Sequence, residues 1–152
     1  MLDFDTLYDD YVAALEQLMQ NTGAQLCESM RKHYDSYNHP YESPSRDLYN
    51  SIHSETVNEN GLITTYVYAD AKNDYDGSQY AEFLEHGTGM AHTGHGRSGF
   101  WWYKDKGGEW HRTDGMDAKP FINPAVEEVL GDIKELFDEI LVDTKKYRGR
   151  KG

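Results

Sequence analysis

Cysteine is almost absent. Cys27 is alone among 152 residues, so no disulfide can form within the chain. Nothing in this usage points to an oxidising compartment. Cys27 falls in a helical pattern and reads as a small core or boundary residue. Long apolar runs are missing as well. None approaches the roughly 18 residues of a membrane-spanning helix. The opening Met1-Leu2-Asp3-Phe4-Asp5 is acidic where a signal peptide is basic. These absences lead to the expectation of a protein made in the cytosol, with no membrane partner.

Positive charge is scarce. Fifteen Lys and Arg face 27 Asp and Glu, for a formal net charge of −12. Such a surface repels phosphates, so broad nucleic-acid binding is not expected. The exception is a C-terminal cluster, Lys145, Lys146, Arg148, Arg150 and Lys151. It reads either as a solvated, frayed end or as an arm reaching an acidic neighbour or DNA. The hydrophobic share is 38% and mean hydropathy is −0.85. The length supports one domain with a core. The low apolar content fits a chain with much exposed surface, or one that completes its burial against partners.

Periodicity then divides the chain. Phe4, Leu7, Tyr8, Tyr11, Val12, Leu15, Leu18, Met19, Leu26 and Met30 recur at helical spacing and predict a long helix over 4–34, whose stripe reads most simply as core. Gly23 inside it implies a bend or a close approach. Residues 35–46 read as a loop punctuated by Pro40 and Pro44. Tyr34, Tyr37 and Tyr41 nearby serve packing or an interface. A β-hairpin follows over 48–70, turning at Asn60-Gly61. That turn puts Glu59 opposite Leu62. It places Ile52, Thr56, Ile63, Thr65, Val67 and Ala69 on one face, and Val57, Leu62, Tyr66 and Tyr68 on the other. Residues 78–86 form a short helix with Tyr80, Phe83 and Leu84 on one face, ended by Gly87 in a left-handed conformation. Residues 90–99 are small and glycine-rich. Phe100-Trp101-Trp102-Tyr103 and Glu109-Trp110-His111-Arg112-Thr113 flank Gly107-Gly108 and predict a second hairpin. Its aromatics are either the two sides of this domain's own sheet or a subunit interface. Asn123 as N-cap and Pro124 at the first helical position open a last helix over about 124–142. Residues 143–152 are expected to be a basic, flexible tail after a single domain over 1–142. The fold class is therefore α+β: a long N-terminal helix and a C-terminal helix on a small antiparallel sheet of two hairpins.

Chemistry-bearing motifs are thin. His86, His92, His95 and His111 fall in one region and keep a metal-dependent hydrolase or nuclease as the alternative reading. His92-x-x-His95 lies in a glycine loop, and no His-Glu-x-x-His is present. Asp70, Asp74 and Asp76 lack EF-hand spacing. Gly87-Thr88-Gly89 has no following Lys-Ser or Lys-Thr, so it is not a phosphate loop. Ser98 has no triad context. No catalytic residue, metal ligand or cofactor is expected, and the chain reads as a non-enzyme. A small acidic adaptor that mimics DNA is a third reading.

Three short pieces carry a resemblance. Tyr80-Ala-x-x-x-Glu85-x-Gly87-Thr88-Gly89 pairs with a downstream Pro120-Phe121-x-x-Pro124-Ala125. Upstream of both lies Arg46-x-Leu48-x-x-Ser51-Ile52. In this order they resemble the neck, or tail-completion, protein family of long-tailed bacteriophages. Arg46 stands where that family usually has glycine, Asn123 where it has arginine, and His86 where it has Phe or Tyr. The resemblance covers about residues 1–142. It implies a structural virion protein forming a ring at the head–tail junction, hexameric by preference, with DNA passing through the lumen without sequence-specific binding. The implied neighbours are a head-side connector or stopper and a tail terminator or tail tube protein. The implied location is the virion, after assembly in the host cytoplasm. Interface residues expected on this reading are Thr88, His92, His95, Phe100, Trp101, Trp102, Tyr103 and Trp110. The residues expected to set the fold are Tyr80, Ala81, Phe83, Leu84, Glu85, Gly87, Gly89, Pro120, Phe121, Pro124 and Ala125.

Overall fold

A computed structural model describes residues 3–39, 45–72, 77, 79–89, 99–104 and 107–148. In chain order its elements are α1 (Phe4–Asp35), α2 (Asp47–Asn50), β1 (Ile52–Glu59), β2 (Leu62–Ala69), α3 (Tyr80–His86), β3 (Thr88–Gly89), β4 (Trp101–Lys104), β5 (Trp110–Thr113), β6 (Gly115–Met116) and α4 (Ile122–Arg148). The class is α+β. Among the described residues each hairpin forms its own two-stranded sheet, and β3 pairs with β6 in a third.

Helix α1 starts where an acidic cap dictates. The Asp3 carboxylate accepts the Asp5 N–H at 3.1 Å and the Thr6 hydroxyl at 2.9 Å. Asp5 in the first turn and Lys32 and His33 in the last complement the helix dipole.

The first hairpin adopts the expected register, from Ile52↔Ala69 to Glu59↔Leu62. Asn60 (φ 55°) and Gly61 (φ 89°) supply the two positive φ angles of its turn. The face bearing Ile52, Ser54, Thr65 and Val67 lies on α1. Gly23 is what lets it come close: a Cβ there would lie 2.7 Å from Thr65 Cγ2 and 3.0 Å from Ser54 Cβ. Close packing, not a bend, explains this glycine. The Thr65 hydroxyl donates to the Met19 carbonyl at 3.1 Å, so the Thr56 hydroxyl, 2.8 Å away, donates to Thr65.

Helix α4 docks on α1 rather than on the sheet, meeting it around Ser29–His33. The buried core is Cys27, Met30, Tyr34, Leu48, Ile52, Ala81, Phe121 and Ala125, with Phe121, Ile52 and Ala125 fully enclosed. Tyr34 and Phe121 meet edge to face, with ring centroids 5.7 Å apart. Each of the three short sequence pieces contributes to this one core.

Two expectations need correction. The stripe on α1 is core only in its C-terminal half. Hairpin contacts descend the helix from Arg31, which donates to the Ile52 carbonyl, through Gly23 and Met19 to Glu16, bonded to Asn58. The hairpin's turn at Gly61 comes near the Tyr8 hydroxyl. Among the described residues no further layer covers Leu7, Tyr8 and Tyr11, each more than half exposed. The last helix is also longer than expected, running from Ile122 to Arg148. No glycine or proline interrupts 132–148. Lys145, Lys146 and Arg148 thus fall within this helix.

A buried junction and an exposed aromatic hairpin

The junction begins with α3. The helix is rotated so that Ala81 and Glu85, four residues apart, are buried and Leu84 packs against the core, while Tyr80 is exposed. The small Ala81 lets α3 approach closely, and this rotation aims Glu85 at the start of α4. Glu85 Oε2 accepts the N–H groups of Phe121 and Ile122, each at 2.9 Å, and Oε1 accepts that of Asn123 at 2.8 Å. The next residue is Pro124, which has no N–H. The unpaired donors of the helix start are therefore all answered by one carboxylate. Asn123 is not the cap, and Pro124 sits inside the first turn. The Lys119 N–H closes the other side by donating to the Leu84 carbonyl at 2.7 Å.

Gly87 leaves α3 with φ 71° and ψ −178°, a positive-φ extended conformation open essentially to glycine alone and different from the left-handed helical one expected. The chain then enters β3, where Thr88 pairs with Met116 and Gly89 with Gly115. The backbones nearly touch. A Cβ on Gly89 would lie 2.0 Å from the Asp114 carbonyl oxygen, and one on Gly115 1.9 Å from that of Thr88. Thr88 is buried, and its hydroxyl accepts the Met116 N–H at 3.1 Å. Thr88 is expected at an interface; within the single chain its side chain serves the interior.

Arg46 has φ 51° and ψ 48°, the left-handed conformation in which glycine is the least strained residue. Its guanidinium sits 3.8 Å above the Tyr49 ring and is paired with Asp35.

The second hairpin behaves in the opposite way. Its register pairs Trp102 with Arg112 and Lys104 with Trp110, so Trp102, Arg112 and Trp110 share one face. The Arg112 guanidinium lies 4.5 Å over the Phe100 ring and 3.0 Å from Asp114. Phe100, Trp102 and Trp110 are 58%, 57% and 65% exposed. The strands make their close contacts mainly with each other. Trp101, on the other face, is half-buried. Tyr103 lies in β4, but its side chain is outside the described part, as are His92 and His95 altogether. The outer face of the first hairpin is likewise open, with Leu62 and Tyr66 exposed and Tyr68 stacked on His53.

One polar cluster had no expectation attached. Glu128 on α4 accepts the Ser29 hydroxyl at 2.7 Å and the Lys32 ammonium at 3.1 Å, and His33 Nε2 sits 3.1 Å away. These hydrogen bonds, that of Ser29 first, then Lys32 and His33, hold its pKa at about 2, below the ordinary 4.5. The basic end of α1 and the acidic start of α4 were the available signal. Among the described residues no group of three His, Cys, Asp or Glu is placed to hold a metal. His86 ends α3 and His111 lies on β5, both half-buried. Asp70 is exposed, and Asp74 and Asp76 lie outside the described residues. No described helix is long and apolar enough to cross a membrane.

Comparison with known proteins finds no family model, no curated protein and no solved structure that matches this chain.

Proposed function

We propose that this is a structural assembly protein of the phage neck type, which works by association: copies form a ring at a head–tail junction, and the aromatic hairpin presents the contact surface. The observation that carries the reading is the division of labour in the chain. Most of its motif residues, among them Leu48, Ile52, Ala81, Glu85, Phe121 and Ala125, are spent inside, while Phe100, Trp102 and Trp110 face solvent in a protein with little apolar content. Large exposed aromatic patches mark association surfaces. The resemblance gains physical sense from three details. Its three pieces meet in one core. Glu85 of one piece caps the helix opened by another. Arg46 adopts the conformation that accounts for glycine at that position. The acidic surface suits a lumen that must let DNA slide without gripping it.

Native mass spectrometry of the purified chain, with no chelator added, is the first test. The expected result is a closed ring free of metal. A monomer carrying stoichiometric metal overturns the reading in favour of a metalloenzyme. A bare monomer moves the test to assembled particles, where antibody labelling must find the chain at the neck; its absence there also overturns the reading.

A further inference from the structure

From two of the chain's exposed apolar surfaces we infer a head-to-tail contact between copies: the N-terminal end of α1 in one copy docks on the outer face of the β4–β5 hairpin in the next. This rests on the ring reading only for what the contact builds.

The two surfaces differ in charge. Leu7, Tyr8 and Tyr11 lie at spacings of three and four on α1 and form one exposed stripe. The charged side chains nearest them in sequence are all negative, Asp3, Asp5, Asp9 and Asp10, with no Lys or Arg before Arg31. The hairpin region is nearly balanced instead. Over residues 97–114 the sequence has four basic residues, Arg97, Lys104, Lys106 and Arg112, and three acidic ones, Asp105, Glu109 and Asp114, in a chain whose net charge is −12. Arg112 lies on the same face as Trp102 and Trp110. A tyrosine-bearing acidic helix end thus matches an aromatic face that carries a guanidinium, itself paired with Asp114. Apolar area supplies the attraction and the charges set the pairing.

The occupant is a second copy because the chain carries both halves. The halves lie on different elements and are both exposed in the same molecule, so neither covers the other in cis. Contact between two different patches is heterologous. It leaves a free patch at each end until the rotation between copies closes a ring or extends a filament.

Two variants test this by size-exclusion chromatography with light scattering. Leu7→Glu/Tyr11→Glu disables the helix face, and Trp102→Glu/Arg112→Glu disables the hairpin face. All four positions are exposed or half-exposed, and circular dichroism with a thermal melt confirms that both variants fold. Wild type is expected to form oligomers beyond a dimer as concentration rises. Each variant alone is expected to be monomeric, with association weakened at least about 100-fold. Mixed in equal amounts, they are expected to form dimers and stop there, because one intact helix face meets one intact hairpin face. Cross-linking Tyr11→Cys to Trp102→Cys provides a second readout, with little background from the buried Cys27. Wild type that stays monomeric to about 100 μM overturns the inference. So does a mixture that yields no dimer. Variants that form wild-type rings overturn it while leaving the ring reading intact, and labelling of particles judges that reading separately.

Discussion

The Glu85 junction and the β4–β5 hairpin lie a short way apart in sequence and obey opposite rules. At the junction almost every polar group is answered inside the chain, and two glycines let backbones nearly touch. On the hairpin, rings that could fill a core stand in solvent. A few well-placed small and polar residues around Phe121 build the junction, and the large rings of the hairpin are left for something else. A substitution that is severe at one place should therefore be mild at the other.

Glu85→Ala should have the largest effect. It strands three backbone donors at the start of α4, and a loss of about 3–5 kcal/mol is expected in urea unfolding. Glu85→Asp, one methylene short, should recover only part of it. Gly115→Ala should follow. Its Cβ would overlap the Thr88 carbonyl oxygen, so β3 and β6 must part, at a cost of about 2–3 kcal/mol in the same measurement.

The Glu128 cluster gives an effect tied to pH. A carboxylate whose pKa is lowered in the folded state stabilises fully above its ordinary value and loses that contribution as protons bind. Stability should therefore fall as pH drops from 4.5 to about 2, and Glu128→Gln should flatten thermal melts over that window. A variant that keeps the wild-type slope would show that other carboxylates carry it. Trp102→Ala should do least to the fold, within about 0.5 kcal/mol of wild type. The same substitution should cost the most in assembly, read as the fraction of chain in oligomers. A Trp102→Ala protein that unfolds early would erase the contrast drawn here.

Legibility in the sequence followed the range of the cause. Asn60-Gly61 specifies its hairpin locally, and every pair from Ile52↔Ala69 onward was readable from it. The long helix was readable from its spacing, but its exposed end was not, because periodicity shows which residues share a face and not how far a neighbouring layer extends. The start of α4 was misplaced by two residues for a similar reason. Its cap comes from Glu85, remote in sequence, so no local capping signal exists. Gly115 carries no local signal either, since only its approach to Gly89 explains it. On the hairpin, alternation placed the aromatics in two sets, and only exposure distinguished Trp102 and Trp110 from the half-buried Trp101.

The Gly89–Gly115 crossing has a consequence for how such a chain can change. It fastens both ends of the segment 90–114, so the aromatic hairpin hangs from the core as a closed cassette. Doubling the length of a closed flexible loop costs only about 0.6 kcal/mol. Residues within the clasp are thus free to lengthen, shorten or be exchanged for another contact surface while the body beneath stays the same. A lineage of such proteins could follow changing neighbours by rewriting this segment alone.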